Sequence, residues 1–370
     1  MHLNHLHLQH FRNYRDDQLF PGKGLNIVLG DNAQGKSNLL EAIAYLSFGR
    51  SPRGVNDIHV LAWEAPFFII EAEIQENSGN LSFHLIYERE KGKKLLVNGV
   101  PQSRLHDGVG IMQAVWFAPE HLALVKGPPL GRRNFLDLHI SQLNPRFRSL
   151  VQQYRQLLMQ RNHLLRQARS SVAVSYQLDV WDEQLVEVGS RLLSSRLETV
   201  QVMKVVAAEA HRKYSGGEEQ LEVSYVSTIG ADEKEKDVKF IKSLFASRLA
   251  ESRRQDINQG VTLVGPHRDD LHLKINGRES RLYSSQGQQR TIALSLKVAE
   301  MELIRRKTGE YPLLLLDDVL SELDLHRREQ LLKDITDTVQ CFVSASTREG
   351  IPLAALKQAE IINVRQGKLS

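Results

Sequence analysis

The chain has 370 residues, a formal net charge of +4 from 48 Lys and Arg against 44 Asp and Glu, and a single cysteine. This length exceeds that of a usual single hydrophobic core, so two lobes are expected, and the mild basic excess permits a polyanionic partner without requiring one. One cysteine cannot form an internal disulfide, and no segment has the pattern of a signal peptide or membrane span; both facts argue against a secreted or membrane protein and predict a cytoplasmic one.

The first part of the chain has the pattern of β-strands. Leu6 and Leu8 alternate with histidines, which predicts a half-exposed opening strand. A metal site remains the alternative for the four histidines near the start, His2, His5, His7 and His10. Further strands are predicted over 67–74 and 81–87, with hairpin turns at Asn98-Gly99 and at Asn276-Gly277, the second between 271–275 and 282–283.

A glycine-framed loop, GDNAQGKS, follows the apolar run LNIVL and precedes a helical pattern. Gly30 and Gly35 allow the backbone N–H groups to point inward, where they can bind phosphate oxygens beside the positive end of the helix dipole. Lys36 would contact the β- and γ-phosphates, and the Ser37 hydroxyl would bind Mg²⁺. An ordinary glycine turn is the alternative. The predicted nucleotide contacts are Gly30, Asp31, Asn32, Ala33, Gln34, Gly35, Lys36, Ser37 and Asn38.

The middle of the chain has a helical pattern. An apolar stripe runs from Phe147 to Leu165, and a second stripe runs from Leu178 to Leu192 after a break at 170–175. Two long helices joined by a short break should lie antiparallel and bury their stripes together, forming an arm. Residues 232–237 are predicted to be a solvated loop.

Two carboxylates follow the apolar run Leu313–Leu316. In a parallel sheet this strand end lies beside the phosphate loop, so Asp317 can hold Mg²⁺ through water and Asp318 can orient or deprotonate an attacking water. A strand end with a solvated turn is the alternative. Because the loop and the acids come from opposite ends of the chain, the sheet must be assembled from both.

A second anion-binding pattern lies between them, in the serine- and glycine-containing stretch before the helical run Thr291–Ile304. A second phosphate-binding helix start in one chain is unusual, unless it serves the nucleotide of another copy.

The chain resembles the ABC-type ATPases of the SMC and Rad50 group in the order of five motifs: FRNY, GxxxxGKS, SQGQ, LLLLDD and SELD. The chain is most similar to the RecF family of bacterial recombination mediators, on the tracts Val264–Leu271, Phe117–Glu120 and Arg132–Asp137. The resemblance covers essentially the whole chain. It implies an α/β, ABC-type P-loop ATPase head (lobe I, residues 1–125 and 305–370) with a helical second lobe or arm bearing the signature motif (residues 126–304).

The resemblance also implies roles for individual residues. Ser285 and Gly287, with Gln288, match the signature that meets the γ-phosphate held by a partner copy, and Gln286 replaces the first signature glycine. Arg12 and Asn13 match a segment that touches nucleotide. Asp324 matches the loop that crosses to the other site. The residues given catalytic roles are Asp318, Lys36, Ser285 and Thr347, and the metal ligands are Ser37 and Asp317.

Two positions depart from the family pattern. The usual glutamine ligand of the metal has no clear counterpart, and Gln113 and Glu120 are both candidates. A hydroxyl from Ser344–Thr347 stands where many ABC ATPases have a histidine.

As a function, the resemblance implies a weak, DNA-stimulated ATPase that uses ATP and Mg²⁺. Its ATP-bound homodimer would bind DNA gaps and junctions of single- and double-stranded DNA, and would support RecA loading with RecR and RecO in DNA repair, replication and the SOS response. An ABC transporter ATPase subunit is the alternative, disfavoured by the wide separation of loop and acids. The arm is too short for an SMC-like tether, and a GTPase is disfavoured because no Asn-Lys-x-Asp tract occurs. DNA-contact candidates, each alternatively a solvated helix position, are Arg132, Arg133, Arg155 and Arg161.

Overall fold

The computed structural model describes residues 1–102, 110–168, 172–234, 237–335 and 338–370. These form two compact units. Unit 1 comprises Met1–Leu122 and Gln286–Ser370, and unit 2 comprises Ala123–Ser285.

The helices and strands follow one another in three groups. The first part of unit 1 contains β1 (His2–Phe11), β2 (Tyr14–Leu19), β3 (Leu25–Leu29), α1 (Lys36–Phe48), β4 (Phe67–Glu76), β5 (Gly79–Glu88), β6 (Gly92–Val97), β7 (Val100–Pro101) and β8 (Ala114–Phe117). Unit 2 contains α2 (Ala123–Lys126), α3 (Pro129–Leu143), α4 (Pro145–Ala168), α5 (Val172–Tyr214), β9 (Leu221–Val226), α6 (Val238–Gln259), β10 (Asp270–Ile275), β11 (Arg278–Glu279) and α7 (Ser280–Tyr283). The second part of unit 1 contains α8 (Gln286–Thr308), β12 (Leu313–Asp317), α9 (Leu325–Ile335), β13 (Cys341–Ala345), α10 (Leu353–Gln358), β14 (Glu360–Arg365) and β15 (Lys368–Leu369).

Unit 1 contains two sheets of six strands each. The first is antiparallel, in the order β2-β1-β4-β5-β6-β7. In β4 every second residue is buried and the others are half-buried or exposed, so one face of the strand is covered more fully than the other. The predicted strands at 67–74 and 81–87 are confirmed as β4 and β5, and the Asn98-Gly99 hairpin joins β6 to β7. In this sheet His7 lies between two carboxylates, with Nδ1 2.8 Å from Glu71 and Nε2 2.7 Å from Asp16.

The second sheet has the order β15-β14-β3-β13-β12-β8, and its strands are parallel except for the β14–β15 pair. Every residue of β3 and β12 is buried, which explains why both strands have continuous apolar runs in the sequence. The glycine-framed loop follows the end of β3, and Asp317 ends β12. The prediction of one sheet built from both ends of the chain is therefore confirmed.

The two predicted long helices are confirmed as α4 and α5. Arg161 of α4 pairs with Asp182 of α5, and Tyr154 lies against Gly189, so the two helices run antiparallel. Part of the predicted break between them, residues 169–171, lies outside the described residues, as do residues 235–236 of the predicted loop at 232–237; α5 already begins at Val172.

The tract Val264–Leu271 is a structural centre of unit 2. Buried Arg196 of α5 donates to both carboxylate oxygens of Asp137 and to the backbone oxygen of Pro266. Asp269 accepts hydrogen bonds from the Tyr225 hydroxyl and from Thr228. These bonds hold α3, α5, β9 and the tract together, which gives several residues of the tract a structural role.

Of the four arginines predicted to contact DNA, two are buried within unit 2 and a third is half-buried. Arg132 is 4% exposed and forms a bidentate pair with Asp270, Arg133 donates to the backbone oxygen of Asp269, and Arg161 is 0% exposed. The prediction was wrong for Arg132 and Arg161 because the acids that neutralise them lie far away in the sequence. For Arg133, which is half-buried, it stays a prediction. Only Arg155 is exposed.

His267 in this tract makes the stability of unit 2 dependent on pH. Its Nδ1 accepts from the Tyr154 hydroxyl at 2.9 Å, and its Nε2 donates to the backbone oxygen of Thr262 at 3.1 Å. Burial lowers the pKa of His267 from 6.5 to about 4. The unfolded chain therefore binds this proton more readily, so the contribution of His267 to stability is present above about pH 6.5 and is lost as the pH falls toward 4.

We expect the urea midpoint of the wild-type protein to fall between pH 7 and pH 5.5 more steeply than that of His267→Gln. Glutamine can keep both hydrogen bonds but does not titrate. Equal pH dependence of the two midpoints would contradict this role.

Two predicted boundaries differ from the structure. The second lobe was expected to extend to residue 304, but α8 belongs to unit 1 because its buried face packs against β8. After the Asn276-Gly277 turn, the hairpin partner of β10 is Arg278–Glu279, while Leu282 and Tyr283 lie in α7. No helix among the described ranges is both long and apolar enough to cross a membrane.

Candidate nucleotide site

An open cavity of about 270 Å³ lies in unit 1 where β3, β12 and β13 end at one edge of the parallel sheet. This is the edge at which open α/β sheets bind ligands. The cavity is lined by Asn32, Ala33, Gly35, Lys36, Ser37, Asn38, Arg53, Asp318, Ser344 and Ser346. The structure thus brings the predicted phosphate loop and the second of the two predicted acids into one site.

Lys36 is held at the loop by its own backbone. Its ammonium group donates to the carbonyl oxygens of Gly30 at 2.6 Å and Asp31 at 2.9 Å. Burial lowers the pKa of Lys36, and the negative charges of Asp318 and Asp317 oppose that effect. When nucleotide binds, the Lys36 ammonium group can therefore replace these carbonyl oxygens by phosphate oxygens.

Ser37 and Asp317 are in contact although 280 positions separate them in the sequence. The Ser37 hydroxyl donates to Asp317 Oδ1 at 2.7 Å, and Ser344 donates to the same oxygen at 2.9 Å. A hydroxyl and a carboxylate side by side are hard oxygen donors of the kind that Mg²⁺ takes together with phosphate oxygens and water. The predicted pair of metal ligands fits the ion.

Asp318 lines the cavity on a strained backbone. Its φ of 54° lies in the left-handed region, which Asp and Asn tolerate better than most residues, and its N–H donates to Ser344 Oγ at 2.8 Å. This backbone explains why an aspartate suits the position, since a glutamate has a weaker preference for this conformation.

Arg53 and Glu41 are site residues that sequence reasoning missed. Arg53 lines the cavity and lies 3.5 Å from both Asp317 Oδ2 and Glu41 Oε2. Fully buried Glu41 also accepts from both Nε and Nη2 of Arg12, at 3.1 and 2.8 Å. Arg12 was predicted to touch nucleotide, but it does not line the cavity and instead anchors Glu41. In the sequence, the one signal that could have prompted a search for these arginines is Glu41, an acid among the apolar residues of α1.

Asn13 supports the loop from outside the cavity. Its side chain donates to the backbone oxygen of Gln34 at 2.7 Å and accepts from Asn38 at 2.8 Å. The turn between β14 and β15 adds two more bonds to Gln34: the Gly367 N–H donates to its backbone oxygen at 2.9 Å, and the Gln366 N–H donates to Oε1 at 2.6 Å. The loop is thus braced by residues that come last in the chain.

This bracing predicts that Gly367→Ala weakens nucleotide binding without touching the cavity. Gly367 has φ +71°, and a Cβ there would lie 2.1 Å from the backbone oxygen of Asn13, so the turn must move away from the loop. We expect the affinity for a fluorescent ATP analogue to fall about tenfold, which corresponds to about 1.4 kcal/mol. Gly99→Ala is the matched control, because φ is +75° and nothing lies within 4 Å. Equal affinities of the two variants would contradict the brace.

The remaining predicted residues lie elsewhere. Thr347 is exposed and does not line the cavity; the hydroxyls that do so from this stretch are Ser344 and Ser346. Neither Gln113 nor Glu120 lines it. Ser285 is the last residue of unit 2, and Gly287 and Gln288 lie in the first turn of α8.

The fold and the site define an ABC-type P-loop ATPase head. A family model described as RecF/RecN/SMC N terminal domain matches residues 2–370. The DNA replication and repair protein RecF of Halalkalibacterium halodurans is 41% identical over 369 residues, 100% of this chain and 99% of the relative. RecF of Oceanobacillus iheyensis is 42% identical over 368 residues, 99% of each chain. The chain belongs to the RecF family.

Solved structures agree with this assignment. The recombination mediator protein RecF–ATPrS in the RecFOR pathway matches with a TM-score of 0.92 and 32% identity, covering 100% of this chain and 97% of the other. The corresponding RecF–ATP structure gives 0.90 and 33%, with the same coverage. An SMC head bound to the C-winged helix domain of ScpA shares the fold, with a TM-score of 0.55 and 14% identity over 100% of this chain and 96% of the other.

Proposed function

We propose that this protein is an ATP-dependent DNA-binding recombination mediator. In this proposal the ATP-bound protein is a homodimer that binds DNA at gaps and at junctions of single- and double-stranded DNA, and slow hydrolysis of ATP releases it. It acts with RecR and RecO to load RecA, in DNA repair, replication and the induction of the SOS response. Membership of the RecF family supports the pathway, and relatives solved with ATP support the nucleotide.

One observation carries the proposal for the site: Ser37 Oγ lies 2.7 Å from Asp317 Oδ1 at the cavity that Lys36 and Asp318 line. Lys36 and the loop N–H groups bind the β- and γ-phosphates, and Ser37 and Asp317 hold Mg²⁺. When bound, Mg²⁺ would neutralise charge that develops on the phosphate oxygens. Asp318 orients the attacking water and accepts its proton. Ser344 fixes the positions of the two acids, because its hydroxyl donates to Asp317 and accepts from the Asp318 N–H.

A second copy completes the site in this proposal. Ser285, Gly287 and Gln288 do not line the cavity of their own chain and begin a helix whose N–H groups favour an anion. Supplied by a partner copy, they would bind the γ-phosphate, so that the dimer is stable only while the triphosphate is intact.

Sedimentation with and without ATP tests the dimer. We expect the wild-type protein to change from monomer to dimer on addition of ATP and Mg²⁺, and Ser285→Arg to remain monomeric while still binding ATP. Ser78→Arg, an exposed loop position in unit 1, is the matched control. A wild-type protein that sediments as the same species in both conditions at micromolar concentration would refute the proposal.

A further inference from the structure

Helix α4 has an unusual distribution of charge. Its 24 residues include five arginines and neither aspartate nor glutamate. One of the five, Arg161, is buried and neutralised by Asp182 and Asp256. The charge that remains on the helix is therefore exclusively positive, and Arg146, Arg155 and Arg166 are exposed to solvent.

From Gln152 onward, the exposed residues of α4 form one continuous face. Positions that are seven or eleven residues apart share a side of an α-helix, so Arg148, Arg155 and Arg166 project in nearly the same direction. Glutamines, a methionine and a histidine fill the space around them. The exposed members of this face, called the α4 face below, are Gln152, Gln153, Arg155, Gln156, Met159, Gln160, His163, Arg166 and Gln167.

The cations of the α4 face differ from other exposed arginines of unit 2 in their surroundings. Arg191 pairs with Glu187 and Arg248 with Glu251, each on its own helix. Arg155 and Arg166, by contrast, have no ion-pair partner among the residues that the structure describes. Two acids of α5 and α6 that contact α4, Asp182 and Asp256, are bound to Arg161.

From this arrangement we infer that the α4 face binds the phosphate backbone of DNA. Arginines without acidic neighbours attract a polyanion, and glutamine amides can donate hydrogen bonds to phosphate and sugar oxygens without repelling them. Arg155 and Arg166 lie about 16 Å apart along the helix axis, given a rise of about 1.5 Å per residue, so they contact phosphates that are not adjacent. The face carries contacts to the backbone and so reads no base sequence.

This inference rests on the proposed DNA-binding function and places it on one surface. It is tested with the double variant Arg155→Gln/Arg166→Gln in the full chain, in the presence of ATP and Mg²⁺. Glutamine retains helix propensity, so α4 stays folded. The matched control is Arg191→Gln/Arg248→Gln, which removes the same charge from the same unit where each arginine has an acidic partner.

Binding to a fluorescent duplex with a single-stranded gap is measured over a range of salt concentrations. We expect the α4 variant to bind about tenfold more weakly at moderate salt, and its log–log salt slope to be smaller by about 1.8, or 0.9 for each lost phosphate contact. The control should keep the wild-type slope. A second variant, Gln156→Glu/Gln160→Glu, adds acids to the α4 face and should also weaken binding.

The outcomes separate the two proposals. If the wild-type protein binds DNA and both α4 variants bind it with the same affinity and salt slope, the α4 assignment alone is overturned. That result would favour an acidic protein surface as the partner of this face. A wild-type protein that shows no ATP-stimulated, salt-dependent DNA binding would overturn the proposed function and the α4 assignment with it.

Discussion

Replacing Asp318 by asparagine is expected to lower ATP turnover by about 10²–10⁴-fold, the usual contribution of a positioned general base. The amide cannot accept the proton of the attacking water, while Lys36, Ser37 and Asp317 remain in place to bind nucleotide. Asparagine also suits the left-handed backbone at this position, where φ is 54°, so the strand end keeps its shape. The variant should accumulate as an ATP-bound dimer.

Single-turnover phosphate release and nucleotide affinity are the two measurements. Glu329→Gln, an exposed acid on α9, is the control and should turn over at the wild-type rate. In the wild-type protein we expect slow turnover, well under about 10 s⁻¹, because the short aspartate side chain stands farther from the water than a glutamate would. Wild-type turnover in Asp318→Asn would remove Asp318 from the catalytic role.

The replacement of Arg161 by methionine is expected to destabilise unit 2 by about 3–5 kcal/mol, the usual cost of removing one partner from a buried ion pair. Arg161 is fully buried and donates to Asp182 at 2.5 Å, to Asp256 at 2.7 Å and to Thr262 at 2.8 Å. Without the guanidinium, the fully buried carboxylate of Asp256 would have no opposite charge. The urea midpoint measures the loss.

Arg155→Met on the same helix is the matched control, since Arg155 is exposed. The double variant Arg161→Met/Asp256→Asn should regain part of the loss, because asparagine can still accept the hydrogen bond from the Leu263 N–H while carrying no charge. If Arg161→Met and Arg155→Met have the same midpoint, the buried cluster does not stabilise the helices.

Sequence reasoning found the parts of the site that are contiguous in the chain. The loop Gly30–Ser37 is recognisable because a strand, a glycine-framed turn and a helix must follow one another to bind phosphate, and the two acids at the end of β12 follow a continuous apolar run. Parallel pairing then predicts that Ser37 meets Asp317, and the structure places them 2.7 Å apart.

Interactions between side chains that are distant in the sequence could not be predicted from the sequence. Nothing near Arg132 or Arg161 in the sequence reveals the carboxylate that neutralises it, so both were assigned to solvent and to DNA. Conversely, Arg53 stands in an unremarkable turn, and only the folded chain shows that it lies beside Asp317. The sequence offered both Ser344 and Thr347 as the hydroxyl that replaces the histidine. Only the folded chain shows that Ser344 is the one bonded to Asp317 and to the Asp318 N–H.

The strand order of the parallel sheet has a consequence for how the protein is made. The strand β3, which leads into the phosphate loop, pairs with β13 on one side and β14 on the other, and both belong to the last part of the chain. A ribosome therefore releases all of unit 2 before β3 can acquire either neighbour. Unit 2 is available to fold during synthesis, whereas β3 must wait with its apolar residues unpaired, a state in which chaperones commonly hold nascent chains. Translation pauses that fall after unit 2 would lengthen that exposure, and the ability to bind nucleotide would arise late and all at once.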